Sequence, residues 1–99
     1  MPEVRWSDGA LDGLHAIGEY FERTSRQYAR SIIARLYAAP DVLAEHPMLG
    51  RVVPEVGVGH IREIVREGYR VVYVTSGDLV EVLAVLHGRQ DLGRKLRRE

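Results

Sequence analysis

Hydrophobic and polar positions change period twice along the chain. Glu3-Val4-Arg5-Trp6 alternates with the period of a strand, placing Val4 and Trp6 on one face. So short a run predicts an N-terminal strand that pairs with something downstream. Ser7-Asp8 then reads as a helix start, because a serine hydroxyl accepts from an orphan N–H and an aspartate in the first turn suits the dipole. Leu11, Leu14, Ile17, Gly18 and Phe21 follow at helical spacing. Thr24-Ser25-Arg26-Gln27 fits a capping box with Thr24 at the cap and Gln27 reaching back. One helix therefore ends near Arg23 and another starts at once. In the second helix Tyr28, Ile32, Leu36 and Ala39 form a stripe, widened by Ala29, Ile33 and Leu43. Pro40 predicts a kink or a fresh start at Asp41.

Pro47 and Gly50, within His46 to Arg51, close the helical half. Val52 to Gly59 carries Pro54 and two further glycines, an irregular connection with room for one short edge strand. Beyond it the period is that of strands. Ile61, Glu63 and Val65 alternate with Arg62, Ile64 and Arg66, while Tyr69 to Thr75 and Leu79 to His87 are rich in β-branched residues. Ser76-Gly77-Asp78 joins the last two as a hairpin turn. The order predicts an α+β fold of two layers: an N-terminal strand, a helical hairpin, then a three-stranded antiparallel sheet, making about four strands in all. Val72, Val74, Val80, Val82 and Ala84 supply more apolar surface than two short helices cover, so one sheet face is expected to need a partner.

Ninety-nine residues spanning 1–99 make one domain, too small for separate cofactor and substrate domains. Formal net charge is zero, which lacks the signature of an autonomous nucleic-acid binder, so nucleic acid is expected only indirectly or through a local patch. With no cysteine there is no disulfide, thiolate nucleophile or Cys-type zinc site. His15, His46, His60 and His87 are scattered without helical i, i+4 pairing, so neither a metal nor a cofactor is expected. No apolar run nears the roughly 20 residues of a membrane span and the N-terminus has no signal-peptide core, which predicts a cytoplasmic protein without a membrane partner. The tail at 89–99 is net basic, Arg89, Arg94, Lys95, Arg97 and Arg98 standing against Asp91 and Glu99. Two readings fit it: a short helix that docks Leu92 and Leu96 and turns its cations outward, or a frayed, solubilising end.

Four local signals stand in order on this framework: Pro47-Met48-Leu49-Gly50-Arg51, Ile61-Arg62-Glu63-Ile64, Tyr69-Arg70-Val71-Val72-Tyr73 and Val85-Leu86-His87-Gly88-Arg89. Together with the element order the chain resembles the RelE/ParE superfamily of bacterial toxin–antitoxin toxins, and more closely its ParE branch. The resemblance implies a toxin held inactive by a cognate antitoxin whose C-terminal segment wraps around it. RelE-like members cut mRNA in the ribosomal A site, whereas ParE-like members are associated with poisoning DNA gyrase.

Cutting RNA through the ribose 2'-hydroxyl needs a base, cations for the developing phosphorane and an acid for the leaving oxygen. RelE-like enzymes meet these needs with strand lysines and arginines and a tail tyrosine. Arg70 matches the strand arginine. The lysines fall at about Ile61 and Glu63, the second arginine at Gln90 and the tyrosine near Leu96, and no tyrosine follows Tyr73. A ribonuclease reading is left with Arg70, His87 and Arg89. Imidazole is a common general base, but a histidine ending a strand before a turning glycine, Gly88, also bonds backbone at a sheet edge. One such residue is not a catalytic constellation. Arg62, Arg66 and Arg70 lie four apart and would share a face within one strand, unless a turn near Gly68 breaks that register, serving either a target or solvated ion pairs with Glu63, Glu67 or Glu81. The expectation is thus a gyrase inhibitor with no catalytic residues. Arg62, Arg70, Arg89, Arg94, Lys95, Arg97 and Arg98 are its target-facing cations. Leu14, Ile17, Phe21, Ile33, Tyr37, Val72, Val74 and Val82 are expected to line the groove for an amphipathic antitoxin segment.

Overall fold

The computed structural model describes residues 2–89. In chain order the elements are β1 (Glu3–Trp6), α1 (Asp8–Glu22), α2 (Arg26–Ala38), a 3-10 helix (Ala39–Ala44), β2 (Arg51–Val52), β3 (Ile61–Arg66), β4 (Tyr69–Ser76) and β5 (Leu79–His87). They build one sheet of five strands in the order β1-β5-β4-β3-β2. The N-terminal strand does pair late: β1 runs parallel to β5, Val4 opposite Val80 and Trp6 opposite Val82. All other neighbours are antiparallel. The fifth strand is the two-residue β2, which exists because Arg51 and Val52 find partners in Glu63 and Arg62.

Ser7 starts α1 as expected, its Oγ accepting from the Ala10 N–H at 3.1 Å. The same residue ties the helix to the sheet, donating from its backbone N–H to the Val82 carbonyl (2.9 Å) and from Oγ to the Leu83 carbonyl (3.3 Å). The start of α2 differs from expectation. Ser25, not Thr24, is the cap, because α1 runs to Glu22 with Arg23 as its C-cap and the hydroxyl that reaches a free N–H, that of Tyr28 at 3.1 Å, is the later one. At Pro40 the α-helix gives way to the 3-10 turn, since proline lacks the N–H that the next α-helical bond would need.

The core has two parts. Ala10, Leu14 and Ile17 of α1, Ile32 and Leu36 of α2, and Leu43 pack on Ile64, Val71, Tyr73, Val80, Val82 and Val85. On the opposite sheet face Val72, Ala84 and Leu86 are covered by the chain's own 53–60 connection through Val53, helped by Val56 and Ile61. This corrects the expectation of one bare apolar face. The cause lies in β5: Tyr73 pairs with Val82 and Val72 with Ala84, so Leu83 is an extra residue in a β-bulge. The bulge reverses the alternation, and Val80 and Val82 face the helices while Ala84 faces away. The expected groove does not form as one surface. Leu14, Ile17 and Val82 lie inside the main core, Phe21 and Ile33 at its margin, Tyr37 is stacked on Trp6 at 5.2 Å, and Val72 and Val74 belong to the other face.

Glu67-Gly68 closes the β3–β4 hairpin with φ values of 56° and 80°, the doubly left-handed turn that matches sheet twist. Glutamate pays steric strain there that asparagine does not. Glu67→Asn is expected to raise stability by about 1 kcal/mol, read as a higher urea midpoint with unchanged slope. A lower midpoint would show that the exposed Arg35–Glu67 ion pair outweighs the strain.

Candidate functional site

Tyr69 to Tyr73 places alternate side chains on opposite sides of β4, and two of them organise the surrounding loops. Tyr73 is fully buried; its hydroxyl donates to the Pro47 carbonyl at 2.8 Å and accepts from the Gly50 N–H at 2.9 Å. Arg62 adds hydrogen bonds to the carbonyls of Gly50 (2.8 Å) and Gly59 (2.9 Å). A Cβ at Gly50 would stand 2.5 Å from the Glu63 carbonyl oxygen and 2.8 Å from the Tyr73 hydroxyl, so no other residue fits. Burial pushes the Tyr73 hydroxyl above its ordinary value, against the lowering effects of the Gly50 N–H and the Arg62 charge.

Arg70, 4% exposed, lies on the other face. Its Nε donates to Glu63 Oε1, and Nη1 and Nη2 donate to Glu55 Oε2 and Oε1, each at 2.7 Å. Arg51 closes the cluster from outside, Nε donating to Glu63 Oε2 at 2.6 Å. The Glu63 side chain is wholly buried while Glu55 keeps 22% exposure. Hydrogen bonding to Glu55 raises the Arg70 pKa well beyond the usual guanidinium range, opposed by desolvation and aided by Glu63. Three of the sequence signals therefore meet in one brace. Glu55 was not singled out from sequence, although a lone arginine inside the apolar run Tyr69-Arg70-Val71-Val72-Tyr73 already demanded a carboxylate.

The ribonuclease set does not come together. Tyr69 pairs with His87 and Arg70 with Leu86, so His87 and the Arg70 guanidinium project to opposite faces of the sheet. The exposed His87 ring meets the Tyr69 edge at 5.9 Å and accepts at Nδ1 from the Arg89 N–H at 3.3 Å. Gly88 has no positive φ; its backbone lies close on Gly68, donating to that carbonyl at 3.0 Å, and a Cβ there would make a tight contact at 3.1 Å from the oxygen. Arg62, Arg66 and Arg70 do not share a face either, since the turn at Gly68 breaks the register. Arg62 is occupied with its loop carbonyls and Arg70 is buried, which removes Arg70 from the surface cations expected to face a target. Arg89 is exposed. Gln90, Arg94, Lys95, Arg97 and Arg98 lie outside the described residues.

Beneath His87, a cleft of about 580 Å³ opens between α1 and the ends of β4 and β5. Ala16, Ile17, Tyr20, Phe21, Glu67, Tyr69, Val85 and His87 line it, and Phe21 joins Tyr20 and Tyr28 edge to face at 5.0 Å each. Burial, with help from Tyr20 and Tyr28, pushes the Tyr69 hydroxyl up. Among the described residues no three His, Asp or Glu side chains gather as metal ligands, and no helix is long and apolar enough to cross a membrane.

Residues 4–92 match the family described as the ParE toxin of the type II toxin–antitoxin system parDE. A Sinorhizobium fredii protein named "Putative toxin Y4kP" is 37% identical over 89 residues, 88% of each chain. Toxin RelE2 of Caulobacter vibrioides is 33% identical over 88 residues, 88% of this chain and 96% of that protein. The fold is similar to that of a chain in the chromosomal ParDE system of P. aeruginosa, with a TM-score of 0.75 at 17% identity over 88% of this chain and 96% of that one.

Two measurements check the brace. Glu63→Ala leaves the buried Arg70 Nε without its acceptor and the guanidinium with Glu55 alone, and is expected to cost about 3 kcal/mol, whereas Glu63→Leu with Arg70→Met removes both buried charges and regains most of it; equal loss in both would contradict the assignment. The raised Tyr73 and Tyr69 hydroxyls favour folding while neutral, so their contribution is complete below the ordinary value of 10.0 and is lost as pH rises through the folded values. Tyr73→Phe should flatten that alkaline fall in the urea midpoint while lowering the neutral-pH midpoint.

Proposed function

The chain belongs to the ParE toxin family of type II toxin–antitoxin systems, within the RelE/ParE superfamily, and from that premise we propose that it acts in the cytoplasm by binding DNA gyrase, under control of a cognate antitoxin. The observation that carries the choice of a binding mechanism is the state of Arg70. A phosphorane needs cations free to approach it, yet Nε, Nη1 and Nη2 of this arginine are engaged by Glu55 and Glu63. With Arg51 included, the cluster holds two positive and two negative charges and offers a phosphate no net attraction. Target contact is assigned to the exposed Arg89 and to Arg94, Lys95, Arg97 and Arg98 beyond it.

The antitoxin is assigned to the cleft beneath His87, where Ala16 and Tyr20 are exposed beside the more buried Ile17, Phe21 and Tyr69. Aromatic side chains that present one apolar face beside a polar tip are the usual anchors of such an interface. An amphipathic segment seated there would also pass within reach of His87 and the start of the basic tail.

The identity with a protein named Toxin RelE2 favours a second reading, ribosome-dependent cleavage of mRNA using Arg70, His87 and Arg89. Purified toxin separates the two. On the gyrase reading it inhibits supercoiling and accumulates cleavage complexes while ribosome-bound mRNA stays intact; A-site cleavage with gyrase untouched would reverse the choice. For the antitoxin, Ala16→Arg should weaken binding about tenfold or more by filling the cleft, and unchanged affinity would move the antitoxin elsewhere.

A further inference from the structure

The outer surface of the helical hairpin carries a charge pattern that neither the core nor the brace uses. Asp8, Asp12, His15, Glu19 and Glu22 form one exposed stripe along α1, which has no lysine or arginine. Helix α2 has no acid, and exposes Arg26 and Arg30 one turn apart. At the tip these charges oppose the helix dipoles: Glu19 and Glu22 stand at the carbonyl end of α1 and Arg26 at the N–H end of α2. Arg23, the α1 C-cap, has the favourable sign. Glu19 meets His15 at 3.3 Å, but among the described residues Glu22, Arg23, Arg26 and Arg30 have no ion-pair partner. A shallow groove runs between the two rows, with His15, Glu19, Glu22 and Arg30 on its rims and the buried Gly18 and Ala29 at its floor, where Gly18 lets α1 pack against Ile33 of α2.

We propose that this surface is a self-association face that pairs two copies of the chain through a two-fold axis running along the groove. A fitting partner needs a basic row over α1 beside an acidic row over α2, and the chain itself carries that pair of rows. Rotation about an axis parallel to the helices sets α1 of each copy over α2 of the other and brings Arg26 and Arg30 of one copy to the level of Glu22 and Glu19 of its partner. An in-plane axis across the helices would set acid on acid. The charge pattern thus selects one symmetry, and an interface with so little apolar surface depends on salt.

Sedimentation equilibrium of the full-length toxin tests this. The wild type is expected to self-associate at about 0.1 M salt and to dissociate at about 1 M, as the screening length falls from roughly 10 to 3 Å. Arg26→Glu with Arg30→Glu, and separately Glu19→Lys with Glu22→Lys, should each weaken association about tenfold or more, and an equimolar mixture of the two variants should restore pairing. Restored pairing also reports that both variants are folded. The proposal is overturned by a wild type that stays monomeric at low salt, by a dimer indifferent to both swaps, or by a mixture that does not pair.

Discussion

A guanidinium removed from water is tolerable only when carboxylates replace its hydration, and the Arg70 clamp is where this structure meets that condition. Its partners come from separate parts of the chain. Glu63 lies on the neighbouring strand, Glu55 in the irregular connection, and Arg51 reaches the same carboxylate from the edge strand. Holding Arg70 thereby lays the 53–60 connection over the sheet face, where Val53 and Val56 seal Val72, Ala84 and Leu86. On the opposite side Tyr73 and Arg62 fix the 47–50 turn by the same logic, using backbone carbonyls as acceptors. Among the described residues no buried side-chain polar atom lacks a hydrogen-bond partner. A network with that property holds one arrangement of the loops rather than several.

Much of this architecture was legible in the sequence because it rests on period and caps. The alternation of Glu3 to Trp6, the serine before α1, the break at Pro40 and the β-branched runs each reflect a local rule that the tertiary fold respects. What stayed hidden was non-local. Between Val80 and Leu86 nearly every residue is apolar, so the extra residue at Leu83 leaves no trace in the pattern, although it decides which side chains face the helices. Adjacent hydroxyls at Thr24 and Ser25 differ only in which reaches an N–H, a matter of one residue in where α1 stops. Arg70 resembled a surface cation because its carboxylates lie seven and fifteen residues away, and only the β3–β4 pairing and the folded-back connection bring them to it.

The same geometry explains why kinship and target are separable in this chain. The residues that carry the family resemblance, Gly50, Arg62, Glu63, Arg70 and Tyr73, are spent on the brace, where they maintain loops and sheet. The aromatic cleft beneath His87 and the exposed Arg89 lie at one end of the sheet and share no residue with that brace. Glu63 is the instructive position. It lies at about the place where the resemblance to the ribonuclease branch implies a strand lysine, and its carboxylate accepts from Arg70 and Arg51.

On the gyrase reading proposed above, the direct test of this account is the potency with which a purified variant carrying Glu55→Met, Glu63→Leu and Arg70→Met inhibits supercoiling, once circular dichroism has established that it is folded. A brace that acts only through the fold predicts the potency of the wild-type toxin. Loss of inhibition by the folded variant would place the Arg70 guanidinium in the chemistry of the target and contradict the account.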